Sequence, residues 1–162
     1  IVAGREIGGG MRQFLLKYGE REDVSLLEQG MSTRQELIDT MSENCLFCKI
    51  VKGEIPAKIV YTDDDCVVFH DIQPAAPVHL LMVPRHHIVS MQDIKPEDAG
   101  WLGRMLTRVE QIALANGCNP GPEGGFRLTT NSGLEGGQEI KHLHFHILGG
   151  RRPWQGFTPI KN

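Results

Sequence analysis

The sequence lacks the features that would assign it to a membrane, a nucleic-acid partner or a secreted framework. No uninterrupted apolar run approaches the ~18 residues that a membrane helix requires. The net charge is only -3, so there is no general attraction to a nucleic-acid backbone or an anionic membrane. Charged residues stand near the start of the chain, where a signal peptide would be hydrophobic. We therefore expect a cytoplasmic protein that binds neither membranes nor nucleic-acid polymers.

What the chain does contain is typical of one globular domain with an appendage. It has 162 residues, of which 40% are hydrophobic and 23% are charged, as in a single folded domain. All seven histidines lie between His70 and His146. Residues 1–40 carry a glycine triplet and short amphipathic patterns, which predict a helical N-terminal extension. Residues 41–162 are predicted to form the functional domain.

Five strands and one long helix are predicted after Cys45. Segments rich in β-branched and aromatic residues predict strands over Lys58–Thr62, Cys66–Ile72, Val78–Val83, Phe126–Thr130 and Lys141–Leu148. Apolar residues at helical spacing predict a helix that begins at Pro96 and ends at Asn116. Strands joined by turns around one helix indicate an α+β fold, in which the helix covers one face of a mostly antiparallel sheet.

The segment from His142 to Leu148 alternates strictly between histidine and apolar residues. In a strand, this alternation places the three histidines on one face and Leu143, Phe145 and Ile147 on the core face. Imidazole can act as a nucleophile, an acid-base group or a metal ligand. Three imidazoles at this spacing indicate function more strongly than they indicate a solvated surface.

A glycine-rich loop, residues 131–140, precedes the histidine segment. Such a loop can direct backbone N–H groups at an anion, for which phosphate is the natural choice. Asp71, near the end of the second predicted strand, could accept both hydrogen bonds of a ribose diol. The alternatives are a hairpin loop without a ligand and an aspartate that only ends its strand.

These motifs together resemble the histidine-triad nucleotide-binding family, in particular its Hint branch. The resemblance rests on the His-x-His-x-His pattern and on the segments CLFCKIVKGEIPAKI, FHDIQPAAP and VHLLMVPRHHI, with residues 136–141 and 148–151 in addition. It covers about two-thirds of the chain, and residues 1–40 have no counterpart in it.

The resemblance implies a hydrolase that acts at the α-phosphate of purine nucleoside phosphoramidates, of the adenosine 5′-monophosphoramidate type. His144 would be the nucleophile and would form a nucleotidyl-histidine intermediate, without any cofactor. His146 and the loop amides of Gly137 and Gln138 would bind the phosphate oxygens, and His79 would orient the triad. The other implied nucleotide contacts are Leu46, Phe47, Ile50, Phe69, His70, Asp71, Ile72, Asn131 and Glu139.

Two further points follow from the resemblance. Glu139 stands where some relatives have serine, which leaves open which group protonates the leaving group. Family members pair their helices and central strands across a two-fold axis, so a homodimer is implied. The implied ligand is a purine mononucleotide or a nucleoside phosphoramidate.

Cys45 and Cys48 form a C-x2-C pair, which is half of a typical tetrahedral zinc site. By resemblance, His87 and His142 would supply the other two ligands, and the zinc would be structural. The alternative is that the two thiols are buried and pack as small apolar groups.

Three other functions remain open at this point. The first is a dinucleoside polyphosphate hydrolase, against which the Gly149-Gly150-Arg151 segment argues by resemblance. The second is a nucleotide-binding regulator that turns nothing over. The third is an interaction module built on zinc, which would leave Asp71 and the glycine-rich loop without a role.

Overall fold

The computed structural model describes residues 42–152, so the predicted extension over residues 1–40 lies outside the described residues. The helices are α1 (Leu46–Val51), α2 (Ala99–Thr107) and α3 (Val109–Ala115), with short 3-10 helices at Met91–Asp93 and Pro96–Asp98. The strands are β1 (Ile59–Thr62), β2 (Cys66–His70), β3 (Val78–Pro84), β4 (Phe126–Thr129) and β5 (Phe145–Gly149). None of the helices within residues 42–152 has the length and apolar character needed to cross a membrane.

All five strands join one antiparallel sheet in the order β1-β2-β3-β5-β4. The central strand β3 is buried along its whole length, whereas the edge strand β4 is largely exposed. This arrangement confirms the predicted α+β fold. It also explains the apolar character of β3, since a central strand with both faces covered reads as a continuous hydrophobic run.

Alternation along the strands divides the sheet into two faces with different roles. Leu80, Met82 and Ile147 belong to the core that also contains Met105 and Ile112 from α2 and α3. The residues between them on β3 and β5 point to the opposite face, because successive side chains of a strand alternate. That opposite face carries the candidate site.

The predicted long helix is wrong in two respects, because its first residues, Pro96–Asp98, form a 3-10 helix and the α-helix that follows is interrupted at Arg108. The backbone of Arg108 has φ -91° and ψ -9° and separates α2 from α3. Its N–H donates to the carbonyl of Met105 at 3.3 Å, and its guanidinium pairs with Asp63 at 2.8 Å. A tertiary ion pair and a tighter turn thus break a helix that its apolar spacing predicted to be continuous.

The histidine segment also differs from its prediction, since β5 begins at Phe145 and not at Lys141. The N–H of Leu143 donates to the carbonyl of Ile88 outside the strand ladder. Leu143, Phe145 and Ile147 are nevertheless all in the core, as the alternation predicted. His142 and His144 therefore precede the paired strand, and their rings do not have to share one face.

Candidate functional site

A cavity of about 620 Å³ lies on the face of the sheet that the helices α2 and α3 do not cover, within the range of small-molecule sites. It brings together every predicted nucleotide contact except Gln138. The predicted residues that line it are Leu46, Phe47, Ile50, Phe69, His70, Asp71, Ile72, His79, Asn131, Gly137, Glu139, His144 and His146. The segment Ile55–Lys58 lines it as well and was not predicted.

One end of the cavity is apolar and aromatic. Helix α1 contributes Phe47, whose ring meets that of Phe69 edge-on at 5.6 Å and that of His144 edge-on at 5.1 Å. Both phenylalanines are buried. Apolar walls with a few placed polar groups are what a flat heteroaromatic ligand requires.

His144 is held in a single tautomer by the backbone. Its Nδ1 lies 2.7 Å from the carbonyl oxygen of His142, so Nδ1 carries the proton and donates it there. The hydroxyl of Thr130 in turn donates to the carbonyl of His144 at 2.7 Å. The Nε2 atom of a neutral His144 therefore bears a lone pair, which is the form that a nucleophile needs.

His146 is held in the complementary tautomer through His79. The N–H of Ala75 donates to Nδ1 of His79 at 2.9 Å, so the proton of a neutral His79 is on Nε2. That Nε2 lies 2.9 Å from Nδ1 of His146 and 3.3 Å from a carboxylate oxygen of Asp71. Because Nδ1 of His146 accepts, its Nε2 carries the proton and can donate to a phosphate oxygen.

The electrostatics of the site keep these rings neutral. Burial, with the neighbouring rings of His144 and His79, lowers the pKa of His146 to about 4, although Asp71 opposes the change. Burial also lowers the pKa of His79 and that of His144. The rings are therefore uncharged at neutral pH, and the tautomers of His144 and His146 given above are those of uncharged rings.

The glycine-rich loop does not present the two predicted amides to the cavity. The N–H of Gly137 donates to the carbonyl of Leu134, and the N–H of Gln138 donates to the carbonyl of Gly133, both at 3.0 Å. The loop closes on itself because Gly133 and Gly137 adopt φ of 70° and 75°. Binding of phosphate by these two amides would require both internal hydrogen bonds to be given up.

Gln138 was predicted to contribute its backbone amide to phosphate binding, and its side chain is also engaged away from the cavity. Its Oε1 accepts from the N–H of Gly133 at 3.0 Å, and its Nε2 donates to the carbonyls of Val89 and Ile140. All of these partners are backbone groups. In this structure Gln138 therefore fixes the loop to the segment before the first 3-10 helix and does not face a ligand.

The four predicted zinc ligands form one compact group. One ligand atom each from Cys45, Cys48, His87 and His142 lies within 4.8 Å of the other three. Nδ1 of His87 and Nδ1 of His142 lie 3.2 and 3.4 Å from Sγ of Cys48. These separations are close to the ~3.6 Å expected between sulfur and nitrogen ligands of a tetrahedral zinc ion.

The tautomer of His142 fits a metal as well. Its Nε2 lies 2.9 Å from the carbonyl of Pro84 and donates to it, which leaves the lone pair of Nδ1 directed toward Cys48. A backbone acceptor on the far nitrogen is the usual partner of a metal-binding histidine. The residues present therefore fit zinc, and the position of this group outside the cavity lining separates it from His144 and His146.

A second group, Asp71, His79 and His146, also has three potential ligand atoms within 4.8 Å of one another. Its proton arrangement does not suit a metal. Binding at Nε2 of His79 would move the ring proton to Nδ1, where it would oppose the N–H of Ala75 at 2.9 Å. This group is a hydrogen-bonded chain that orders protons.

Comparison with known proteins agrees with this geometry. A family model described as "Scavenger mRNA decapping enzyme C-term binding" matches residues 44–158. Protein HitA of Neisseria gonorrhoeae is 48% identical over 107 residues, which are 66% of this chain and 96% of that protein. The chain belongs to the histidine-triad family.

Other members of the family are similar to a comparable extent. The purine nucleoside phosphoramidase of Escherichia coli K12 is 44% identical over 111 residues, 68% of this chain and 91% of that protein. The crystal structure of a HIT family hydrolase from Legionella pneumophila superposes with a TM-score of 0.62 at 44% identity and covers 67% of this chain and 94% of that one. A histidine-triad protein from Clostridium difficile gives a TM-score of 0.62 at 42% identity, with 67% of this chain and 92% of that chain covered.

Two groups that order the site were missed by sequence reasoning. They are the N–H of Ala75, which sets the tautomer of His79, and the hydroxyl of Thr130, which holds the carbonyl of His144. A backbone N–H has no sequence signal at all. Thr130 was predicted only as the end of a strand.

Proposed function

We propose that this chain, a hydrolase of the histidine-triad family, cleaves the phosphorus–nitrogen bond of purine nucleoside phosphoramidates. The observation that supports this most is the pair of opposite tautomers: Nε2 of His144 bears a lone pair and Nε2 of His146 bears a proton. Both rings line one cavity. The similarity to a relative named purine nucleoside phosphoramidase supports the same substrate class.

The reaction has two displacements at phosphorus. Nε2 of His144 attacks the α-phosphorus, and the P–N bond breaks as the leaving nitrogen takes the electron pair and a proton from water. A second water then attacks the phosphorus, the electron pair of the His144–phosphorus bond returns to Nε2, and the proton of that water goes to solvent. The N–H of His146 stabilises the charge on the non-bridging oxygens.

The nucleoside would occupy the end of the cavity formed by α1 and β2. The purine would lie against Phe47 and Phe69, and the ribose hydroxyls would donate to Asp71. Asp71 already accepts from the N–H of Gln73 at 2.8 Å and faces His79, so its carboxylate is fixed in place before the ligand arrives. A pre-positioned carboxylate lowers the entropy cost of binding.

Zinc would have a structural role in this proposal. Cys45, Cys48, His87 and His142 would hold it, and it would tie the segment before β1 to the segment before β5. The ion itself would supply a rigid tetrahedral junction. No step at phosphorus would involve it, since none of its ligands lines the cavity.

The chain would act as a homodimer. The edge strand β4 exposes Phe126 and Leu128, each with 37% of its surface accessible. An exposed apolar edge strand is a template for pairing with another chain. Sedimentation of the full chain would give a mass twice that of the monomer, and a monomer at micromolar concentration would contradict the dimer.

Incubation with adenosine 5′-phosphoramidate tests the proposed activity directly. We expect release of AMP and ammonia over many turnovers, and rapid acid quenching should trap a nucleotidyl adduct on the peptide that contains His144. Binding of AMP without hydrolysis of the phosphoramidate would favour the nucleotide-binding regulator. Faster hydrolysis of a dinucleoside polyphosphate would favour the other enzyme class.

A further inference from the structure

Nε2 of His79 has two acceptors within reach and only one proton to donate. It lies 2.9 Å from Nδ1 of His146, to which it is hydrogen-bonded, and 3.3 Å from Oδ2 of Asp71. The N–H of Ala75 occupies the other ring nitrogen of His79 at 2.9 Å, so the proton of the neutral ring cannot move there. The imidazole of His146 and the carboxylate of Asp71 therefore compete for a single N–H group.

The carboxylate of Asp71 is a strong competitor while it carries its full negative charge. Hydrogen bonds to ionised groups are shorter and roughly twice as strong as those between neutral groups. His79 is buried, so water does little to weaken the attraction between its N–H and the carboxylate. In the absence of a ribose, Asp71 thus draws the N–H of His79 away from His146 and weakens the hydrogen bond that sets the tautomer of His146.

The diol of a ribose would change this competition. Oδ1 of Asp71 already accepts from the N–H of Gln73 at 2.8 Å, and Oδ2 faces His79. Each carboxylate oxygen has two lone pairs, so these two contacts leave one on each oxygen for the two ribose hydroxyls. Hydroxyls that donate to Oδ1 and Oδ2 spread the negative charge of the carboxylate, which makes it a weaker acceptor for the N–H of His79.

We propose that Asp71, acting through His79, positions the N–H of His146 in response to the ribose, so that ribonucleosides are favoured in the chemical step as well as in binding. The inference rests on the proposed phosphoramidase function and names its substrate class, nucleosides with a free 2′,3′-diol. With the diol bound to Asp71, His79 donates fully to Nδ1 of His146. Nε2 of His146 then holds the proton that stabilises the charge on the phosphate oxygens.

Two substrates that differ only in the diol test this positioning role of Asp71. They are adenosine 5′-phosphoramidate and its 2′,3′-dideoxy analogue. The rate constant of a single turnover at saturating enzyme isolates the chemical step from substrate binding and product release. We expect the full-length wild-type chain to cleave the ribose compound about tenfold faster, which is the contribution of about one hydrogen bond in the transition state. Calorimetry with AMP and 2′,3′-dideoxy-AMP measures the effect of the diol on binding alone.

The His79→Asn variant separates the effect on rate from the effect on binding. Asparagine has an acceptor for the N–H of Ala75 but no atom at the position of Nε2. We expect its two substrates to react at nearly equal rates, whereas AMP should still bind more tightly than dideoxy-AMP because Asp71 still accepts from the diol. Asp71→Ala should remove both preferences. His86→Asn is the matched control, since His86 does not line the cavity, and its ratio of rates should equal that of the wild type.

Nitrogen NMR of the histidine rings tests the same coupling without a substitution at His79, and it decides the question if His79→Asn does not fold. The His146→Asn variant assigns the resonances of His146. With AMP bound, the ring of His146 should be protonated at Nε2 and not at Nδ1. With dideoxy-AMP bound, we expect this tautomer to be less fully populated. Identical His146 spectra with the two nucleotides would overturn the inference.

The outcomes separate this inference from the function on which it rests. Equal single-turnover rates of the two substrates, or a wild-type ratio retained in His79→Asn, would overturn the positioning role of Asp71 and leave the phosphoramidase proposal intact. Loss of the binding preference for AMP in His79→Asn would show that His79 only holds Asp71 in place, which would also overturn it. A wild-type chain that hydrolyses neither substrate would overturn the phosphoramidase proposal, and the NMR comparison would still decide whether the ribose acts on His146.

Discussion

Nε2 of His79 lies 2.9 Å from Nδ1 of His146, and this contact orders the protons of the site. The order begins at a backbone group, the N–H of Ala75, which donates to the other nitrogen of His79. A backbone N–H cannot change its role with pH, so the donor and the acceptor of each hydrogen bond from Ala75 through His79 to His146 are fixed. The proton of His146 is consequently placed on the nitrogen that is free to meet a ligand, beside a His144 of opposite tautomer.

Replacement of His144 by alanine should abolish turnover and leave the fold intact. We expect kcat to fall by about 10³-fold or more, because the covalent route requires the lone pair of Nε2. Hydrolysis of adenosine 5′-phosphoramidate by the purified variant measures the loss. His86→Ala is the control, since His86 packs edge-on against Trp101 at 4.4 Å and does not line the cavity. Near-parental activity in His144→Ala would rule out His144 as the nucleophile.

Replacement of Asp71 by alanine should weaken nucleotide binding. The loss of a charge-assisted pair of hydrogen bonds to a ribose corresponds to ~1.5–3 kcal/mol, or about tenfold or more in affinity. Calorimetric titration with AMP measures it, and titration with 2′,3′-dideoxy-AMP should show a much smaller difference between wild type and variant. Asp64→Ala removes an exposed carboxylate outside the cavity and should bind AMP as the wild type does. Equal affinities of wild type and Asp71→Ala for AMP would show that the ribose does not bind to Asp71.

The free energy of unfolding should decrease as the pH falls from about 6.5 to about 4. The pKa of His146 is lowered to about 4 in the folded protein, whereas an unfolded histidine titrates near ~6.5. Between these values the unfolded chain binds more protons than the folded one, so acidification favours unfolding. Urea unfolding at several pH values measures the slope.

The matched variant for this prediction is His146→Asn, which removes the titrating ring and keeps a polar side chain. Its free energy of unfolding should change less than that of the wild type over the same pH interval. An identical slope for the two proteins would mean that His146 is not the source of the pH dependence. Removal of bound metal from both proteins before the comparison excludes a contribution from protonation of the cysteines.

The metal prediction concerns stability and not catalysis. If Cys45, Cys48, His87 and His142 bind zinc, protein from zinc-replete growth should contain about one zinc ion per chain, with sulfur and nitrogen at ~2.3 and ~2.0 Å by X-ray absorption. A chelator should then lower the Tm of the wild type. The Cys48→Ser variant should have a lower Tm to begin with, and the chelator should change it little.

Metal-free protein from zinc-replete growth, with a Tm that does not respond to chelator, would show that the four residues pack together without binding a metal. Nucleotide binding provides the internal control. Because the metal group does not line the cavity, the folded fraction of Cys48→Ser should bind AMP with the affinity of the wild type. A weaker affinity of this folded fraction for AMP would show that the metal group and the nucleotide cavity are coupled.

Local patterns in the sequence determined the fold class and most members of the site. The alternation between His142 and Leu148 was sufficient to assign Leu143, Phe145 and Ile147 to the core, because burial of one face specifies the register of a strand. The family motifs were sufficient to name most of the cavity residues, but not the segment Ile55–Lys58 or Gln73, Leu81 and Ile140, which also line it. Each of these features depends on neighbouring positions in the chain, which a sequence displays directly.

The tertiary structure alone decided what the groups in the site do. The three triad histidines separate, because His142 donates to the carbonyl of Pro84 and turns toward Cys48, whereas His144 and His146 line the cavity. Helix α2 ends where Arg108 reaches Asp63, 45 positions away in the sequence. The tautomers depend on backbone groups brought close by folding, and backbone N–H and C=O groups are the same at nearly every residue. Residue types therefore determined which side chains could act, and only the fold determined which nitrogen of each ring carries the proton.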